Sequence, residues 1–197
     1  MSAAVARAAL PAGQYFDSAL QTAAIKLLPA DYAVTAEPVA IVTLLGSCVA
    51  ACVYDPALQV GGMNHFMLPD SHASDLTARY GMHAMELLIN ELLKRGARRS
   101  RLQAKAFGGG NVLRGFQDPI GTRNADFVID YLRAERIPLV AQDLGDIFPR
   151  KICFFPQTGR TLVKRLPATR EREVADVERA YQSRLSGAPT SGGVELF

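Results

Sequence analysis

Val39-Ala40-Ile41-Val42-Thr43-Leu44-Leu45-Gly46-Ser47-Cys48-Val49-Ala50-Ala51-Cys52-Val53-Tyr54 carries no charged residue and is interrupted once, at Gly46-Ser47-Cys48. Apolar residues occupy both parities on either side of the break, so Val39 to Leu45 and Val49 to Tyr54 read as strands covered on both faces. A core strand has no need of glycine and serine at its end. Here they stand beside a thiol, where glycine permits a sharp turn and a free amide can face a developing oxyanion. Free cysteine is more often inert packing than nucleophile, and Gly46-Ser47 tips Cys48 toward the nucleophile. Cys52 and Cys153 lack such neighbours and read as core.

The next run, Val60 to Leu68, is a third strand candidate stopped by the turn signal Pro69-Asp70-Ser71. It contains Gly61-Gly62-Met63-Asn64-His65. A lone histidine in a strand is commonly structural. The paired glycines, which allow close backbone approach, favour His65 as the base that a thiol nucleophile needs.

Upstream, residues 1 to about 36 read as a leader with little core of its own. A short helix is expected over Ser18 to Leu28, with Leu20, Ala23, Ala24 and Leu27 on one face and Pro29 ending it. Asp31 to Glu37 leads into the first strong strand. Downstream, a polar loop precedes a helix over Arg79 to Arg95, striped by Met85, Leu88, Ile89 and Leu92 and capped by Gly96. Arg101 to Ala106 alternates as a strand and runs into Gly108-Gly109-Gly110. A helix from Asn124, its N-cap, to Arg136 is striped by Ala125, Val128, Ile129 and Leu132. Leu139 to Gln142 reads as a strand, and Lys151 to Phe155 with Thr161 to Leu166 as a hairpin. Ala168 to Leu185 is a charged helix with a thin stripe (Val174, Val177, Tyr181, Leu185) and mixed charges that suggest solvent. The Gly/Ser/Pro-rich tail from Ser186 to Phe197 is expected to be mobile. Interspersed strands and helices point to one α/β or α+β domain around a mixed sheet.

At 197 residues, one well-buried domain is the natural size, and 49% hydrophobic with 21% charged residues excludes a disordered chain. A net charge of +3 argues against a dedicated nucleic-acid or anionic-membrane protein. Three cysteines make no disulfide framework and suit a reducing compartment. No apolar run has the length of a membrane span, and the alanine-rich N-terminus is too weakly apolar for a secretory signal. The expected location is cytoplasmic. No paired spacing of the zinc type joins Cys48, His65, His72 or His83, so no metal is expected, and His72 and His83 read as exposed. The glycines at 108–110 lack the Gly-Lys-Ser/Thr of a phosphate loop and read as room for backbone near the nucleophile strand. The basic cluster Lys94, Arg95, Arg98, Arg99 and Arg101 lies about a helix end, where cations are favoured, and reads first as a solvated edge.

Four ordered motifs resemble the chemoreceptor glutamine deamidase CheD family of bacterial chemotaxis: 41–50 (Ile-Val-Thr-Leu-Leu-Gly-Ser-Cys-Val-Ala), 62–69 (Gly-Met-Asn-His-Phe-Met-Leu-Pro), 106–110 (Ala-Phe-Gly-Gly-Gly) and 120–124 (Ile-Gly-Thr-Arg-Asn). The likeness spans roughly residues 35 to 166. It divides the chain into a leader at 1–35, a CheD-like domain at 36–166, and a helix with tail at 167–197. It implies an α/β fold similar to toxin-type glutamine deamidases and a Cys-His-Thr triad: Cys48 the nucleophile, His65 the base, Thr43 the residue that orients the histidine. It implies hydrolysis of receptor glutamine to glutamate through a thioester, with glutamyl methyl ester hydrolysis by the same machinery, and no cofactor. The implied partners are the cytoplasmic helical bundle of methyl-accepting receptors and a CheC-type phosphatase. Two rivals stay open: another Cys-His hydrolase acting on main chain or a small molecule, and a non-catalytic receptor-binding or phosphatase-regulating module.

Overall fold

The two strands flanking Gly46-Ser47-Cys48 belong to different sheets. The computed structural model describes residues 13–69, 74–112, 120–167 and 171–187. In chain order its first elements are β1 (Gln14–Asp17), β2 (Thr22–Lys26), β3 (Tyr32–Thr35), β4 (Ala40–Leu45), β5 (Val49–Asp55) and β6 (Val60–Asn64). Then come α1 (Ser74–Lys94), a 3-10 turn at Arg99–Arg101, β7 (Gln103–Gly108), α2 (Ile120–Ala134), β8 (Leu139–Leu144), β9 (Arg150–Phe155), β10 (Arg160–Arg165) and α3 (Glu171–Gly187). The expected mixed sheet is present as two, each five-stranded: β1-β2-β4-β9-β10 and β3-β6-β5-β7-β8. Each contains one parallel pair, β2 with β4 and β7 with β8. The fold is a single α+β domain.

Strand alternation explains why β5 is apolar from Val49 to Tyr54. Val49, Ala51 and Val53 join Met85, Leu88 and Ile89 of α1 and Val128 and Leu132 of α2. Ala50, Cys52 and Tyr54 face the other way, into a core shared with Ile41, Leu45, Ile152 and Phe154 of the first sheet. The layers are therefore helices, second sheet, first sheet. Burial of each large aliphatic side chain in such layers contributes about 1.5–3 kcal/mol. Cys52 sits in the inter-sheet core and Cys153 on the outer face of the first sheet, both buried as packing residues.

The N-terminal reading needs correction. Ser18 to Leu28 is not a helix: β1 and β2 form a hairpin with Gln14 opposite Ile25 and Asp17 opposite Thr22. Asp17 closes the turn by accepting from Ala19 N at 2.9 Å and Leu20 N at 3.1 Å. The residues at helical spacing do not form one stripe, because Leu20 and Ala24 go to the outer-face cluster and Leu27 to the inter-sheet core. β3, expected only as a lead-in, pairs antiparallel with β6. In the second helix, Asn124 is not the N-cap. α2 begins at Ile120, which puts Asn124 inside the helix and fully buried.

The basic cluster is largely neutralised. Arg95 pairs with Glu91, Arg99 with Glu135, and Arg101 with the buried Asp55. His83 is exposed on α1, whereas His72, residues 1–12 and the tail from 188 onward lie outside the described residues. No described helix is long and apolar enough to cross a membrane.

Candidate active site

Gly46, Ser47 and Cys48 form the link from β4 in one sheet to β5 in the other, and a glycine loop holds that link from below. Gly109 N donates to Cys48 O and Gly110 N to Gly46 O, each at 2.8 Å. Contact this close requires glycine. A Cβ on Gly108, whose φ is +104°, would overlap Cys48 O. The room for backbone expected of Gly108-Gly109-Gly110 is observed, beside the Cys48 link. From the other side, the buried Asn124 of α2 donates to Ser47 O and accepts from Leu68 N, both at 2.8 Å. It ties the Cys48 link to the segment just beyond His65.

Thr43 faces the inter-sheet side of β4, with Ile41 and Leu45. Its Oγ1 lies 2.9 Å from Leu27 O and 2.8 Å from His65 Nδ1. A carbonyl oxygen can only accept, so the single hydroxyl hydrogen goes to Leu27 and the hydroxyl oxygen accepts from Nδ1–H. The neutral imidazole then carries its lone pair on Nε2. That atom is buried and has no hydrogen-bond partner among the described residues. Next to His65, Asn64 accepts from Ala51 N at 2.9 Å and donates to Ala84 O at 3.1 Å, fixing the end of β6 against β5 and α1.

The structure brings Thr43, His65 and Cys48 together and adds a fourth residue that sequence reasoning missed. Glu178, on α3, reaches into the link: Oε1 accepts from Gly46 N at 2.8 Å and Cys48 N at 3.0 Å. Oε2 accepts from Ser47 N and Ser47 Oγ, both at 2.7 Å. One ligating atom from each of Cys48, His65 and Glu178 lies within 4.8 Å of the others. The set contains metal-ligand types, but both carboxylate oxygens already face two hydrogen donors each. Three successive N–H groups pointing at one spot make a nest for an anion, not for a cation.

The site is buried and electrically quiet as it stands. Cys48 has no exposed surface and His65 is 2% exposed. Burial pushes the Cys48 thiol well above its usual value, and the adjacent Glu178 carboxylate raises it further. Burial likewise lowers His65 to about 3, against a smaller opposing contribution from the Leu27 carbonyl. A crevice beside the site is lined by Lys26, Leu28, Pro29, Leu44, His65 and Val177.

The family model "CheD chemotactic sensory transduction" matches residues 67–165. A protein of Xanthomonas campestris pv. campestris strain B100, named a probable chemoreceptor glutamine deamidase CheD, is 59% identical over 186 residues, 93% of this chain and 94% of that protein. The chain belongs to the CheD family. A CheD protein of the same printed name from Stenotrophomonas maltophilia strain K279a is also 59% identical, over 93% of this chain and 94% of that protein. A CheD 1 of Shewanella oneidensis is 51% identical over 93% of this chain and 92% of that protein. The family model's match begins just past His65, whereas the likeness to these CheD proteins runs over most of the chain.

Proposed function

We propose that this chain is a chemoreceptor glutamine deamidase, hydrolysing glutamine side chains of methyl-accepting receptors to glutamate with release of ammonia. The names of its CheD relatives support that activity. The observation that carries the chemistry is the relay from Leu27 O through Thr43 to His65, with Cys48 and an amide nest alongside.

In this reading His65 Nε2 takes the proton of Cys48, and Sγ attacks the amide carbon of the substrate glutamine. The oxyanion enters the nest of the Gly46, Ser47 and Cys48 amides, where one such donor is typically worth roughly 3–4 kcal/mol. His65 returns the proton to the leaving nitrogen as the C–N bond breaks. It then activates water, whose oxygen displaces Sγ from the thioester and leaves glutamate. Thr43 holds the imidazole in the tautomer that this sequence needs, as the third member of a triad does. A glutamyl methyl ester differs only in its leaving group, so receptor methylesterase activity belongs to the same reading. So do work in the cytoplasm and a CheC-type phosphatase partner.

Mass spectrometry of a receptor cytoplasmic fragment, after incubation with wild type, Cys48→Ala and His65→Ala, tests the proposal. Conversion of glutamine to glutamate by wild type alone is the expected result. An unchanged receptor that still binds all three proteins would instead make the chain a binding module.

A further inference from the structure

We propose that α3 is an intramolecular product mimic. It lies where a substrate helix docks, and Glu178 holds the place of the glutamate side chain that deamidation leaves. The inference rests on the deamidase reading and extends it to how substrate is seated and what keeps the resting enzyme closed.

Helix packing alone does not account for Glu178. The buried face of α3 is made by Val174, Ala175, Glu178, Tyr181 and Gln182, a spacing of three and four in which an acid occupies the centre. A packing helix would carry an apolar residue there, since a buried carboxylate is costly unless donors are waiting for it. Here all the donors come from the Cys48 link: three backbone amides and the Ser47 hydroxyl. The three amides are the groups the mechanism assigns to the oxyanion. Glycine at position 46 leaves room for this occupant and for Val112, because a Cβ there would lie 2.6 Å from Val112 Cγ2 and 2.8 Å from Glu178 Oε2.

Glutamate is also what the reaction produces, and here a glutamate carboxylate oxygen lies within 4.8 Å of both the Cys48 thiol and a His65 ring nitrogen. The cluster of Cys48, His65 and Glu178 atoms within 4.8 Å is thus the geometry of an enzyme with its product side chain still in place. With α3 seated, Cys48 has no exposed surface, so an external glutamine reaches Sγ only when α3 lifts. The seat further specifies the substrate. Val174 and Tyr181 are buried one turn before and one turn after Glu178, so a preferred substrate is a helix with apolar residues one turn to each side of its target glutamine.

The full-length Glu178→Gln variant converts α3 from product mimic to substrate. Cys48 Sγ would bond to the side-chain amide carbon introduced at position 178 as the C–N bond breaks and ammonia leaves. Solvent water would then displace Sγ, restoring the wild-type side chain and the free thiol. Tethering makes this step effectively unimolecular.

Peptide mass spectrometry of residues around 178 reads the outcome. The expected result is acid at position 178 in the purified single variant and amide in the Cys48→Ala, Glu178→Gln double variant. Retention of the amide in the single variant, while the same preparation deamidates a receptor fragment, would overturn the proposal and leave the activity standing. If neither is deamidated, the deamidase reading fails and this one falls with it. Full-length Glu178→Ala supplies a second readout. If the open form is a minor state, freeing the site is expected to raise receptor deamidation by roughly tenfold or more, whereas an unchanged or lower rate would overturn α3 as the resting occupant.

Discussion

Thr43 Oγ1 stands 2.8 Å from His65 Nδ1 while its hydrogen is committed to Leu27 O at 2.9 Å, so one hydroxyl decides which imidazole nitrogen is free. Thr43→Val keeps the shape and removes that decision. Receptor deamidation is expected to fall by about 10²-fold or more in kcat with little change in KM, since the loss lies in the histidine's protonation form and not in substrate contact. Thr43→Ser, which keeps the hydroxyl, should restore most of the rate. Equal losses in both variants would make Thr43 a packing residue.

His65 is held neutral by burial, with its proton affinity lowered from 6.5 to about 3. The unfolded chain takes up that proton near 6.5, so between these values the unfolded state binds more protons and stability rises with pH. The contribution is complete above about 6.5 and is lost as pH falls toward about 3, at up to about 1.4 kcal/mol per pH unit. Urea unfolding at a series of pH values should show that slope in wild type and a shallower one in His65→Asn. Nitrogen NMR of the imidazole should report a neutral ring with Nδ1–H at about pH 5.

Gly108 tolerates no side chain, with φ at +104° and its Cβ position overlapping Cys48 O. Gly108→Ala is expected to cost about 2–4 kcal/mol and to impair activity more than residual folding explains, because relief of the clash moves the Cys48 backbone. Gly145→Ala is the comparison. Its φ is +77° but nothing lies within 4 Å of the added carbon, so only the backbone cost of roughly 1 kcal/mol remains. Thermal denaturation beside a turnover assay separates the two.

Asp55 closes β5 far from the reacting groups. Its fully buried carboxylate meets Arg101 Nη2 at 2.6 Å and accepts from the amides of Ala57, Leu58 and Arg98 at 3.0–3.1 Å. Burial alone would raise its proton affinity, but Arg101 and the amide donors outweigh it and bring the value to about 2. That stability is present above the unfolded value near 3.8 and is lost as pH falls toward about 2. Asp55→Ala strands those donors and should cost about 2–4 kcal/mol by chemical denaturation. Deamidation measured well below the melting temperature should remain close to wild type.

Where chemistry and backbone demand coincide locally, the sequence is readable. Gly46-Ser47-Cys48 announces a turn and a thiol together, and Gly61-Gly62 marks the approach to His65. The helical stripe of Met85, Leu88, Ile89 and Leu92 is long enough to leave no ambiguity, and it is buried against β5 as the spacing requires. Ser18 to Leu28 fails for the opposite reason. A short apolar run satisfies either period, and pairing with β1 and β4 decides it. Asn124 has the right residue type for a helix start, yet its hydrogen bonds go to Ser47 and Leu68, partners distant in sequence. Glu178 was the least legible of all. In a helix rich in both charges it looks like one more solvated acid, and nothing within α3 tells that the Cys48 link lies beneath it. The single available signal was the thinness of the apolar stripe. Val177, counted in that stripe, is in fact 49% exposed.

Thr43 stands on one sheet, His65 just past the end of β6 in the other, and Cys48 on the splice between them, so the spacing of the sandwich sets the spacing of the three groups. Residues that fill the gap, such as Met63, Ile152 and Phe154, pack in one cluster with Cys48 and act as spacers for the three groups. Selection on this interior is therefore selection on width as well as on volume. Drift that preserves folding can detune turnover through the thickness of the core alone, and compensating changes should be sought there, layer against layer, before they are sought around the thiol.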